Sequence, residues 1–570
     1  MKINSKYILS ALLTLICALA CEMEPEIELN LTEKDVVETY TNTMYRANAV
    51  YTFLPNGFAY FGDAMLASAC DEAEHTNEGN SVHQFNTGAW SHLNNPDNAW
   101  DRCFGGIYAA NLYLEQSGQV KMDYLKFNPS EQAKYELYQQ NLKNADLEVR
   151  FLRAFFYFEL VHRYGGVPIL EKTYDLEDDI SGVKRDTFAD CINFIVSECT
   201  AVAEELPSVP LSENTGRVTK GAALALKSRA LLYAASDLYN DTSWAEGYAN
   251  PELISMTDDK TRSERWDEAA LAAKAVLDLK EARYVLAPNY PEVFTRSSSS
   301  NECIFVRREG SGYSFEQANF SVGFDKGNSG TTPSQNLVDA FEMKDGSAFD
   351  WNNPNHVVDP FANRDPRLEH SVVTHNSWFY GRAMDIAEGG KDGKGVVNAT
   401  RTGYYLRKYV DQDVDLLQGR GTVHAWVIFR LAEIYLNYAE AMNEAYGPIG
   451  DNGYGMNAVE AVNKVRSRNG VGMPPIPFAV TKEELREKIR NERRVELCFE
   501  GHRMFDVRRW MIAPETIGQP LRGVDIQRSG FSAEYTPIEL EDRKFEAKMY
   551  FYPIPQSDAQ ISKWPQNPLW

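Results

Sequence analysis

Three histidines, His75, His83 and His92, lie in one stretch of the chain with Asp71, Glu72 and Glu74 beside them. Imidazole and carboxylate groups ligate metals, but this spacing matches no standard site. Paired carboxylates offer a second chemistry, the acid/base work of a glycosidase. The candidates are Glu433 near Arg430, and Glu492, Glu496 and Glu500 around Arg493-Arg494. A carboxyl beside a guanidinium has its pKa pushed down and makes a poor general acid, so these read as structural ion pairs. HExxH, P-loop, GxGxxG and GxSxG motifs are all absent. No catalytic set, no metal site and no cofactor is expected.

Binding chemistry is better represented. Aromatic residues make up 12% of the 570 residues, and Trp and Tyr supply flat platforms for sugars and partner proteins as well as core. The formal charge of −23 repels polyphosphate, which argues against nucleic acid as a partner. Cys70, Cys103, Cys191, Cys199, Cys303 and Cys498 form no CxxC pair and read as buried free thiols.

The elements that would position such a site are mostly helices. Leu147, Phe151, Phe155, Phe158 and Val161 recur at three- and four-residue steps, so a helix runs to about Tyr164, where Gly165-Gly166 stops it. Further helices are expected near 36–50, 101–118, 187–205, 218–237, 265–279, 427–446, 455–468 and 482–500. The segment from 427 carries two apolar rows, which implies packing on two sides, as in stacked helix pairs. Trp266-Asp267-Glu268-Ala269-Ala270 with Ala273 resembles the opening of a tetratricopeptide unit. Two long irregular stretches, about 53–99 and 295–425, interrupt the helices, and loops this long usually carry function. No parallel sheet is expected, only short strands and hairpins. The fold class is therefore mainly α, a tetratricopeptide-like helix-pair scaffold with long irregular loops and a few short strands.

The chain opens with Lys2, Lys6 and an apolar run from Tyr7 to Ala20, too short to span a bilayer and of signal-peptide length. Cys21 follows the small residue Ala20, which resembles a bacterial lipoprotein signal in which Cys21 becomes the acylated N-terminus. Glu22, Glu24, Glu26 and Glu28 follow and resemble the surface-export signal of Bacteroidetes lipoproteins. Residues 1–20 are thus expected to be a signal peptide and 21–35 a lipidated, acidic linker.

Five ordered blocks carry a resemblance that covers nearly the whole mature chain. They are Arg153 through Pro168, Arg430 through Ala441, Val462 through Gly470, Glu492 through Trp510, and Tyr552-Pro-Ile-Pro-Gln556 with Gln566-Asn567-Pro568. Together they resemble the signatures of the SusD/RagB family. The resemblance implies one SusD-like domain over 36–570, with halves of about 36–260 and 261–570. It implies a non-catalytic surface lipoprotein of the outer membrane that captures oligosaccharides for a SusC-like TonB-dependent transporter. Peptide import on the same fold is the alternative cargo, and a surface glycoside hydrolase is a remote one.

Sugars present C–H faces that stack on aromatic rings, so a glycan site needs exposed aromatics on loops. Trp90 lies in a stretch without apolar periodicity, at a place where glycan-binding relatives carry a stacking Trp. The loop before Pro333-Ser334-Gln335 holds Tyr313, Phe315, Phe320 and Phe324, and Trp378 heads a third cluster with Phe379 and Tyr380. These six residues, Trp90, Tyr313, Phe315, Phe320, Phe324 and Trp378, are the expected ligand contacts, with Trp90 exposed on the face that carries Tyr313 and Phe324. Trp100, Tyr290 and Trp426 are expected to be packing residues. Phe and Tyr stand where relatives often have Trp, which departs from a clear starch-type platform.

Overall fold

Apolar spacing builds a stack of helices in which most pack on the one before. The computed structural model of the protein describes residues 32–175, 177–209, 216–530 and 532–570. Residues 1–31, with Cys21 and the expected signal peptide, lie outside the described residues. The principal helices are α1 (Tyr40–Val50), α2 (Ala99–Gln116), α3 (Gln132–Tyr164), α4 (Phe188–Glu205), α5 (Lys220–Ala235), α6 (Arg262–Leu277), α7 (Leu431–Tyr446), α8 (Ala458–Arg466), α9 (Lys482–Glu496) and α10 (Arg503–Arg509). In sequence, α2 packs on α3, α3 on α4, α4 on α5, α5 on α6, α6 on α7, and α7 on both α8 and α9. This is the tetratricopeptide-like arrangement of neighbouring pairs. None of the described helices is long and apolar enough to cross a membrane.

Local signals set the boundaries. Thr261 and Glu264, Asn457 and Glu460, and Thr481 and Glu484 form reciprocal capping boxes at the starts of α6, α8 and α9. The expected run to Tyr164 is the end of a 33-residue helix, α3. Gly165 ends it at φ +74°, and a Cβ there would lie 2.2 Å from the Leu253 carbonyl oxygen, so both the backbone and the space require glycine.

The strands are β1 (Ala73–His75), β2 (Cys303–Gly312), β3 (Thr331–Pro333), β4 (Val372–Val373), β5 (Trp378–Phe379), β6 (Arg382–Ala383), β7 (Tyr405–Leu406), β8 (Thr422–Arg430), β9 (Leu521–Ser529) and β10 (Ser532–Glu541). They pair antiparallel in twos: β1 with β3, β2 with β8, β4 with β7, β5 with β6 and β9 with β10. The helix expected from 427 therefore starts later, at Leu431. The Thr422–Arg430 segment is rich in β-branched and aromatic residues and joins the β2 ladder instead. That ladder runs from Cys303↔Arg430 to Gly312↔Thr422 and closes the neck of a long excursion between α6 and α7.

A buried lattice of ions locks that neck to the helices. Arg430 donates to Glu500 Oε2, Glu302 Oε1 and Glu496 Oε1, each at 2.7 Å. Arg468 also bonds Glu302 at 3.0 Å and Glu496 at 2.8 Å. From within the excursion, Arg367 donates to Glu492 at 2.6 Å and Glu496 at 2.9 Å, and Lys408 to Glu500 at 2.8 Å. Burial works to raise the Glu496 pKa, but Arg468, Arg430 and Arg367 together hold it well below the usual carboxylate range. The carboxylates are thus ion-paired, but not with the sequence neighbours expected. Glu433 binds Arg229 at 2.6 Å rather than Arg430, and Glu492 binds Arg367 and Arg466. The reason is geometric: Arg430 ends a strand and so is not on the helix face that carries Glu433.

Removing one member of a buried ion cluster strands its partners and costs about 3–5 kcal/mol. Arg430→Met should therefore lower the stability measured by urea unfolding by about that amount. A loss under about 1 kcal/mol would show that the lattice is not what secures the neck.

Candidate ligand-binding site

The two irregular stretches are joined by a strand pair. Strand β1 from the first pairs with β3 from the second, in the register Ala73↔Pro333, Glu74↔Thr332 and His75↔Thr331. Pro333 gives up one donor, which a two-stranded ladder tolerates. The pairing is extended by Thr76, whose N–H donates to Gly330 O at 3.0 Å and whose hydroxyl donates to Ser329 O at 2.7 Å. A Cβ at Gly330 would lie 2.7 Å from the Ala318 carbonyl oxygen, so the close approach needs glycine. Below β1, Asp71 accepts from Arg494 at 2.6 Å and Arg503 at 2.8 Å, which anchors the first stretch on α9 and α10. Glu72 accepts one hydrogen bond, from Phe499 N–H, and burial with the nearby Asp71 charge pushes its carboxyl up to about 8.

A cleft of about 880 Å³ opens beside this junction. Asp63, Asn77 and Glu78 line it from the first stretch, and Asn328, Asn398 and Arg401 from the second. His75 is fully buried in its wall, with Nε2 3.2 Å from Asp63 Oδ1. Burial lowers the His75 pKa against the opposing pull of Asp63, and His83 lowers it further. Arg401 bridges the buried Glu74, at 2.9 Å from Nε, and the exposed Glu78, at 2.8 Å. Asn80 donates to Asp63 at 2.7 Å and to Phe61 O at 2.8 Å, which fixes the near rim. Asn328 and Asn398 are exposed and make no side-chain hydrogen bond among the described residues. The charges in the cleft are mixed and largely paired. Unpaired amides on a rigid rim suit a polyhydroxylated ligand, since each amide offers two donors and an acceptor.

The expected contacts fall elsewhere. Trp90 is 3% exposed, so its expected place on an open face is overturned. A short helix, His83–Thr87, ends at Gly88 in the left-handed region, and the chain turns inward. Trp90 then packs on Phe85, Tyr552 and Trp570 at ring separations of 4.8, 5.2 and 4.9 Å. Two of these partners, Tyr552 and Trp570, lie at the far C-terminal end of the chain, beyond the reach of any local pattern. Phe315 and Phe320 are also buried: Phe315 packs on Phe58, and Phe320 on Phe379 and Tyr380. Phe320 fills a core within the excursion, and Phe315 packs across to the first irregular stretch. Tyr313 and Phe324 are half-buried, and Trp378 alone of the six is open to solvent, at 67%. The structure brings the loop of Phe320 and Phe324 against the Trp378 cluster and leaves Trp90 apart from both.

Trp100, Tyr290 and Trp426 are buried packing residues, as expected. Cys70, Cys103, Cys191, Cys199 and Cys498 are buried free thiols and Cys303 is a half-buried one. Around His75, His83 and His92, as elsewhere among the described residues, no three His, Cys, Asp or Glu side chains gather as a metal site. The polar rim residues Asp63, Asn77, Asn328, Asn398 and Arg401 were not singled out in the sequence. Their one signal was membership of the two long irregular stretches, because Asn and Asp are ordinary turn residues with no spacing rule of their own.

Comparison with known proteins gives concordant results. A family model described as SusD family matches residues 297–570, and one described as starch-binding associating with outer membrane matches 22–232. SusD-like protein P25 of Formosa agariphila is 23% identical over 449 residues, 73% of this chain and 71% of its own length. A SusD-like protein from Bacteroides fragilis superposes with a TM-score of 0.76 at 27% identity, covering 95% of this chain and 99% of that one. A SusD-like carbohydrate binding protein from the same species gives 0.74 at 24% identity, over 92% and 99% of the two chains.

Because Trp90 is a core residue, its truncation should act on stability. Trp90→Ala is expected to lose about 3–5 kcal/mol in a melting or denaturant experiment. A variant that melts with the wild type would mean that the ring is exposed after all.

Proposed function

The chain belongs to the SusD family, and from that premise we propose that it captures oligosaccharides in the cleft between Asp63, Asn77, Asn328 and Arg401 and passes them to a β-barrel transporter of the outer membrane. The observation that carries this reading is the cleft itself. Its volume is about 880 Å³. It is rimmed by side chains that pair with hydroxyl groups, and it is built where the two irregular stretches are stapled together. The carbohydrate-binding relative and the starch-binding family description support glycan as the cargo. Binding without chemistry suits the carboxylates: Glu433, Glu492, Glu496 and Glu500 are all engaged by guanidinium groups as structural ion pairs.

We place the protein on the outer membrane, held by acylation of Cys21. A single acyl chain gives only marginal attachment, so several chains are needed. A lid on a transporter buries a large contact, about 1,600 Å² or more in total.

Two measurements check this reading. Asn77 and Asn328 are exposed, so the double variant Asn77→Ala, Asn328→Ala should melt as the wild type does. If each amide makes one net hydrogen bond to the sugar, affinity should fall roughly tenfold or more in calorimetric titration. Wild-type affinity in that variant would move the ligand out of this cleft. In cells, the protein should take up a palmitate analogue, fractionate with the outer membrane and co-purify with a β-barrel in mild detergent, and Cys21→Ala should release it. An unlabelled wild-type protein recovered only as a free monomer would contradict both the anchor and the transporter.

A further inference from the structure

Trp378 has no role in the polar cleft, yet the fold holds its ring out in solvent. Strands β5 and β6 form a two-residue hairpin, with Trp378 paired to Ala383 and Phe379 to Arg382. Its loop residues, Tyr380 at φ +45° and Gly381 at φ +81°, both take the left-handed backbone that tight hairpins require. Alternation along the strand sends Phe379 inward and Trp378 outward. Phe379 is buried against Phe320 and Phe324, 5.6 and 6.0 Å away between ring centres. The Arg382 guanidinium lies 3.9 Å above the Phe324 ring and is held by Asp392 at 2.6 Å. Tyr380 donates from its N–H to Gln412 at 2.9 Å and from its hydroxyl to Val414 O at 2.7 Å, and Arg407 donates to the Trp378 carbonyl oxygen. The hairpin backbone that carries the exposed indole is therefore held from beneath and from one side.

The ring borders a separate cleft of about 510 Å³. Arg296, Glu369, Gln412 and Asp413 also line it. The side chains of Arg296, Glu369 and Asp413 make no hydrogen bond or ion pair among the described residues, and all three are exposed. An exposed aromatic plate on a held hairpin, bordering free acceptors and donors of both signs, has the composition of a pyranose site: the plate meets the C–H face of the ring, and the polar groups meet its hydroxyls. A protein-docking patch would instead be apolar around its anchor residue.

We infer that the Trp378 cleft is a second glycan-binding site, separate from the polar cleft, in which one sugar ring stacks on Trp378 and its hydroxyls bond Glu369, Asp413 and Arg296. This rests on the reading of the cargo as glycan. Two sites on one chain raise the avidity for a long glycan above that of either site alone.

The test uses affinity electrophoresis against laminarin, soluble starch, xylan, pectin and mannan, followed by titration with whichever polysaccharide retards the wild type. Trp378→Ala, Trp378→Phe and the Asn77→Ala, Asn328→Ala double variant are run beside it, each with a melting curve. Trp378→Ala should weaken binding roughly 5- to 150-fold, by analogy with bases stacked on aromatic platforms, without a lower melting point. Trp378→Phe should retain much of the binding, since a smaller plate remains. Wild-type binding by Trp378→Ala, while the double variant loses it, would overturn the second site and leave the glycan reading standing. A wild type retarded by none of the five polysaccharides would overturn the reading and the second site together. A Trp378→Ala protein that melts early would also count against the inference, since it would make the ring a structural one.

Discussion

Arg430 stands where a strand ends, a helix begins and a long excursion rejoins the scaffold. Its guanidinium serves three carboxylates, Glu302, Glu496 and Glu500, which come from the start of the excursion and from the end of α9 and the turn after it. Isolated in a protein interior, such charges would be costly. Here each is hydrogen-bonded by several partners, and Arg468, Arg367 and Lys408 extend the set into the excursion itself. The consequence is positional. A chain segment of more than a hundred residues leaves the helix stack and returns to it through one fixed neck, with its interior tied to α9.

The ligand face follows from that constraint. With the neck held, β3 is fixed in space, and β1 can pair with it and bring the first irregular stretch alongside. Asp71, gripped by Arg494 and Arg503, ties the same stretch to the same group of helices. The polar cleft and the Trp378 hairpin are thus both loop structures mounted on rigid supports. This is how an irregular backbone presents a preformed surface without first ordering itself around a ligand.

The legible part of the sequence was the part governed by local rules. Helix periods and the Gly165 stop are short-range signals, and the helix stack followed from them. The free thiols and the packing roles of Trp100, Tyr290 and Trp426 were also readable. The partners of the ions were not, because Glu492 answers to Arg367, 125 residues away, and not to its neighbour Arg493. Trp90 misled for the same reason. Nothing around it has an apolar period, yet Tyr552 and Trp570 close over it from the other end of the chain. Exposure is a tertiary property, and a loop aromatic can as easily be buried, as Phe315 and Phe320 are. The family resemblance pointed to loops and could not say which of their side chains face outward.

The account's central claim is that the two stapled stretches, and not the helix stack, form the ligand face. A crystal structure of the protein with a bound oligosaccharide tests it most directly. The account predicts sugar density in the cleft between Asn77 and Asn328. Density lying only along the helix stack α2 to α6, with that cleft and the Trp378 cleft both empty, would contradict it.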